Sequence, residues 1–140
     1  MSDRLFFDTN IFIYSKDPRD PLKQRLAIEL LRDAADEGNG VISYQVIHEF
    51  FNFALQKSPQ KMSPQDAYIF LADVFGSFEA VASSTPVVSG AIHIQQRYQL
   101  SWYDSLIVSA AQQGGCTTLY SEDLQHAQTF GTVTVRDPFR

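Results

Sequence analysis

Cysteine is almost absent from this sequence. Cys116 stands alone among 140 residues, which excludes an internal disulfide framework and a thiolate metal cage; a lone buried thiol is the simple expectation. The 3 histidines are not clustered, so an imidazole-based zinc site is excluded with it. Long apolar runs are missing too. Nothing approaches membrane-spanning length, and the N-terminus lacks the charged region, apolar stretch and small-residue cleavage site of a secretory leader. A cytoplasmic protein with no membrane partner is expected. Positive charge is scarce, with 11 Lys and Arg against 16 Asp and Glu for a net charge of −5. That balance argues against a polyanionic partner, unless acids are concentrated in a metal site where a bound divalent cation reverses the local sign.

What the sequence does contain is an alternation of strand and helix patterns. Its length and 44% apolar content suit a single globular domain over residues 1–140, with no repeat, low-complexity tract or linker. Residues 4 to 8 read as a strand. Pro21 to Asp36 has helical spacing at Leu22, Leu26, Leu30 and Leu31 and is ended by "EGNG". "GVIS" reads as a second strand, and Ser43 can cap a helix through "YQVIHEFFNFALQK". "SPQDAYIFLADVF" starts another helix with Pro64 in its first turn, and residues 78 to 82 read as a strand. Pro86 to Tyr98 and Trp102 to Gln113 are two further helices, and "TTLYS" and "TVTV" the last strands. Strands separated by helices predict an α/β fold with a mostly parallel sheet covered on both faces. Such sheets place their sites beyond the carboxyl ends of the strands.

Four acids fall at informative places in that pattern. Asp8 ends the first strand in "FFDTN", and Asp123 follows "TTLYS". Glu49 flanks the apolar stripe of Val46, Ile47, Phe50 and Ala54, while Asp104 falls between Ile107 and Val108 within the apolar arc of its helix. Each acid has an ordinary explanation as well. Asp8 and Asp123 suit caps, Asp104 suits the third residue of a capping box with Ser101, and Glu49 suits an ion pair. Together, however, they would gather several negative charges in one place. At about 4 Å and an effective dielectric near 20, each like-charge pair costs roughly 4 kcal/mol, so a divalent cation is the direct compensation. Hard carboxylate oxygens point to Mg²⁺ or Mn²⁺.

The segments "FFDTNIFIYS", "VIHEFFN", "LSWYDSLIVSAA" and "LYSEDLQHAQ", spread over the whole chain, resemble the PIN-domain ribonucleases and, within them, the toxins of bacterial VapBC-type toxin-antitoxin pairs. The resemblance implies a three-layer α/β/α sandwich, a Mg²⁺ or Mn²⁺ site, cleavage of single-stranded RNA, an antitoxin partner and a homodimer. It implies Asp8, Asp104 and Asp123 as metal ligands, with Glu49 a further ligand or the group that orients the attacking water. Thr9, Asn10 and Ser121 are the candidates for holding these acids in place. His48 and His126 read as ordinary helix residues near the site, and Glu122 as solvated. Lys16, Arg19, Lys23 and Arg25 form the densest basic segment and are candidates for holding phosphates, although Asp17 and Asp20 interrupt it. Phe51, Tyr68, Phe70 and Phe75 read as core or dimer surface before base-stacking platforms. Two alternatives remain: a receiver-like module, which would need a late lysine where the last here is Lys61, and a catalytically silent PIN module acting by partner or RNA binding.

Overall fold

The computed structural model describes residues 3–140. Leu5–Phe7 forms β1, followed without a loop by α1, Thr9–Ser15. Helix α2, Pro21–Glu37, starts at Asp20, whose side chain accepts from the Lys23 N–H, and stops at Gly38. That glycine takes a left-handed φ of 72°, which a side chain would oppose, and its N–H closes on the Ala34 carbonyl. Next come β2, Gly40–Ser43, and α3, Tyr44–Asn52, with Ser43 as its cap. Helix α3 widens into a π turn over Phe53–Lys57, and α4, Pro64–Ile69, does the same over Phe70–Val74 before a 3₁₀ turn at Phe75–Ser77. The chain continues through β3, Glu79–Val81, helices α5, Thr85–Tyr98, and α6, Trp102–Gln113, and β4, Thr118–Tyr120. It ends in β5, Thr129–Phe130, and β6, Val133–Arg136.

The six strands form one sheet in the order β3-β2-β1-β4-β6-β5. All neighbours are parallel except β5, which runs antiparallel to β6 with Phe130 opposite Val133. From β1 the chain first moves outward through β2 and β3, then returns across the sheet to lay β4 on the other side of β1. Right-handed crossovers therefore put α1 and α2 on one face and α5 and α6 on the other. Phe6 and Phe7 point to opposite faces and both are fully buried, as a sheet covered on both sides demands. The result is the expected α/β/α sandwich with a mostly parallel sheet. Its first reversal of strand order lies between β1 and β4, where open α/β sheets form their ligand crevice.

Aromatic packing fills the space between α1, α3 and the α4 region. The rings of Phe50 and Phe70 stack at 4.5 Å, Phe75 meets Phe12 and Phe50, and Phe78 meets Phe7 and Phe12. Phe70 and Phe75 are thus core, as expected, and Cys116 is buried. Tyr68 instead stands open on α4 beside Ile69 and Leu71. The two-residue strand β5 was not anticipated: "TF" is too short to show an alternation of its own, and only its pairing to β6 defines it.

Candidate active site

At the switch point, Asp8 stands immediately beyond β1 and its N–H bonds the Tyr120 carbonyl of β4 at 3.0 Å. It is both a helix cap and part of an acid cluster. Its Oδ1 accepts from the Thr9 N–H at 2.7 Å, and its Oδ2 accepts from the Ser121 hydroxyl at 2.8 Å. Burial pushes its carboxyl up to about 7, bonds from Ser121 and Thr9 oppose the rise, and the negative charges of Asp123 and Glu49 add to it.

The other three acids reach the same place from different elements. A cleft of about 320 Å³ is lined by Asp8, Glu49, Asp104 and Asp123 together with Thr9 and Asn10. The Thr9 hydroxyl donates to Glu49 Oε1 at 2.7 Å, and Gln45 Nε2 donates to the other oxygen at 3.4 Å. Asn10 Nδ2 donates to Asp123 Oδ2 at 3.1 Å, while the Asp123 N–H bonds the Ser121 hydroxyl at 3.1 Å. Thr9, Asn10 and Ser121 therefore each hold an acid, as their sequence positions suggested. Asp104 sits in the first turn of α6, with its N–H on Ser101 Oγ at 3.2 Å. Burial raises its carboxyl above the ordinary range; the Ser101 hydroxyl opposes this, and the charges of Asp123 and Glu49 add to it. Cap and cluster are compatible, since Ser101 supplies the cap and the carboxylate faces the cleft.

The donor set is all carboxylate and amide or hydroxyl oxygen, which suits a hard divalent cation. Among the described residues no three acids are already closed around one point as a ligand shell. Two of the four carboxyls are nevertheless raised, by burial first and by the neighbouring negative charges after it, and a bound cation relieves both.

Several details differ from expectation. Glu122 is not solvated: its Oε1 accepts from Lys23 Nζ at 2.8 Å, and the two side chains are largely covered. The chain turns sharply after β4 and aims residue 122 at α2, a partner 99 positions away that no local pattern discloses. Lys23 is consequently engaged, and Arg19 is paired to Asp17 at 2.9 Å, which removes two of the four candidate phosphate contacts. His126 lies in a turn and not in a helix, its Nδ1 accepting from the Asp137 N–H at 3.0 Å. His48 is on α3, exposed, and outside the cleft. The cation that does line the cleft is Lys57, at the end of the π turn. Glu49, Phe53 and Lys57 follow one another at four-residue intervals, so a helical continuation already keeps all three on one side, and the wider turn leaves them lining the cleft together.

A mostly parallel sheet with acids gathered at its switch point is the arrangement in which open α/β proteins place a site beyond the strand ends. Residues 5–130 match the PIN domain model, and the chain belongs to the PIN domain family. This sets aside the receiver-like alternative. No curated protein sequence matches the chain. Among solved structures it is similar to a toxin-antitoxin complex from Klebsiella pneumoniae, with 19% identity and a TM-score of 0.66 over 96% of this chain and 97% of that one. It is similar also to VapC20 of Mycobacterium tuberculosis, a sarcin-ricin loop cleaving toxin, with 17% identity and a TM-score of 0.65 over 85% and 89%. VapBC2 from Rickettsia felis, bound to a DNA fragment from its promoter, gives 17% and 0.67 over 94% and 96%. The resemblance to VapC-type toxins read in the sequence is thus matched in the fold. Among the described residues no helix is long and apolar enough to cross a membrane.

Proposed function

We propose that this protein is a metal-dependent endoribonuclease acting on single-stranded RNA in the cytoplasm, as the toxin of a VapBC-type toxin-antitoxin pair. The observation that carries the reading is the convergence of Asp8, Glu49, Asp104 and Asp123 on one cleft at the sheet's switch point. Asp8, Asp104 and Asp123 would hold the Mg²⁺ or Mn²⁺. A bound ion would supply a water of lowered pKa and would stabilise charge on the phosphate and leaving oxygen during in-line displacement. Glu49, oriented by Thr9 and Gln45, would orient the attacking water or join the ligands. Lys57 faces the incoming phosphate from the rim.

An antitoxin partner is supported by the toxin-antitoxin complexes among the similar structures and by a groove of about 600 Å³ beside α4, apolar along its floor and edged by Lys16, Arg32, Asp66 and Asp73. Ile28, Leu31, Met62, Phe70 and Val74 line it, and a hydrophobic antitoxin segment would cover them. Val88, Ile92, Trp102 and Tyr103 are exposed on α5 and α6, a face suited to a second copy of the chain.

Purified protein should cleave single-stranded RNA, lose that activity in excess chelator and regain it with Mg²⁺ or Mn²⁺. Asp8→Asn and Asp104→Asn should each abolish it. Cleavage that persists in chelator, or that survives both substitutions together, would overturn the proposal.

A further inference from the structure

A fifth carboxylate borders the cleft and is held out of it. Glu122 is the chain neighbour of Asp123, yet its side chain turns to Lys23, with Oε1 accepting from Nζ at 2.8 Å. Lys23 in turn donates to the Tyr14 hydroxyl at 3.3 Å and stands 4.6 Å from the Tyr14 ring and 5.4 Å from the Phe139 ring. Those rings meet edge to face at 4.9 Å, so the ammonium is held by α1, by the C-terminal segment and by the loop after β4. The same loop residue reaches the site through its backbone. Its N–H approaches Asn10 Oδ1 at 3.5 Å, and Asn10 Nδ2 donates to Asp123 Oδ2 at 3.1 Å. Lys23, Glu122, Asn10 and Asp123 thus form one connected run from α2 to the cleft.

An exposed ion pair contributes little to stability, but this one is largely covered, fixed at both ends and one residue from a cluster acid. Without Lys23, Glu122 would add a negative charge beside four others, and repulsion would drive the loop and Asp123 outward. We propose that Lys23 and Glu122 are a positioning pair that fixes Asp123 in the cleft. The proposal deepens the reading of this cleft as a metal nuclease site and rests on it for its consequence, not for its geometry.

The test uses the full chain as Lys23→Met, Glu122→Gln, the double variant and Lys23→Arg. Amide hydrogen exchange at Glu122 and Asp123 without metal should quicken at least about tenfold in the Met and Gln variants, with the sheet unchanged. Their Mn²⁺ dissociation constants, read by calorimetry, should rise by roughly 10- to 100-fold. The double variant should lose no more than the worse single one. Lys23→Arg, which can pair with Glu122 and stack on both rings, should restore Mn²⁺ affinity; an effect on folding alone would not be rescued in that readout. Should Lys23→Met fail to fold, Glu122→Gln, close in shape to the native residue, gives the same readings. Wild-type exchange and Mn²⁺ affinity in the folded variants, or losses that multiply in the double variant, would overturn the positioning pair. A wild type that neither binds Mn²⁺ nor cleaves RNA would instead defeat the nuclease reading, and the exchange rates would still decide whether the pair fixes the loop.

Discussion

Glu49 and Phe50 are neighbours in the chain and belong to opposite worlds. Glu49 faces the acid cleft, where burial and like charges raise carboxyls above their ordinary range. Phe50 points into the aromatic cluster, stacked on Phe70 and fully covered. One region is held together against its own repulsion by hydrogen bonds from Thr9, Asn10 and Ser121; the other is stabilised by burial alone. Substitution should therefore have opposite signs on the two sides, as it does wherever a site is kept at some cost to stability.

The largest effect belongs to the aromatic side. Phe50→Ala removes a buried ring from a close-packed cluster and should destabilise by about 3 to 5 kcal/mol, measured by urea unfolding. A loss below about 1 kcal/mol would mean that the cluster collapses around the gap, and the contrast would fail at its firmest point.

The next effect concerns pH and the metal-free protein. Unfolded, Asp8 ionises near its ordinary value of 3.8; folded, it keeps its proton up to about 7. Between those values the folded state binds the extra proton, so Asp8 makes stability fall as pH rises from about 4 to 7, by roughly 1.4 kcal/mol per pH unit at most. Above about 7 both states are ionised and the slope disappears. Asp8→Asn retains an oxygen for the Thr9 N–H and should flatten the profile. Chemical unfolding at several pH values in chelator measures both, and a wild-type slope identical to that of Asp8→Asn would refute the assignment.

The smallest effect is the sharpest in sign. Asp104→Asn leaves the Ser101 cap in place and removes charge from the cluster, so it should raise the melting temperature in chelator while removing the gain conferred by added Mn²⁺. A lower melting temperature without metal would make Asp104 chiefly a helix-start residue.

The sequence exposed Asp8 and Asp104 because each lies where its neighbours say it should not, Asp8 ending an apolar strand and Asp104 interrupting an apolar arc; Glu49 and Asp123 stood out only in their company. Periodicity also located β2 and α6 to the residue, since caps and glycines mark their ends. What stayed hidden depends on long-range approach. Lys23 meets Glu122 across 99 positions, and β5 exists only through its partner strand; Lys57, by contrast, lay within reach of a sequence reading, since it follows Glu49 and Phe53 at four-residue spacing. A carboxylate in an unsuitable place is visible in one dimension; the partner that holds it is not.

The order of strands also sets a clock. The hydroxyl partner of Asp8, Ser121, lies 113 residues later in the chain, and β4 must emerge before the two can meet. At roughly 5 to 20 residues per second, a ribosome needs on the order of ten seconds to cover that interval. Throughout it, the nascent chain carries its first acid without the second wall of the cleft. A cleft wired in this way cannot be completed before the chain has been made through residue 121.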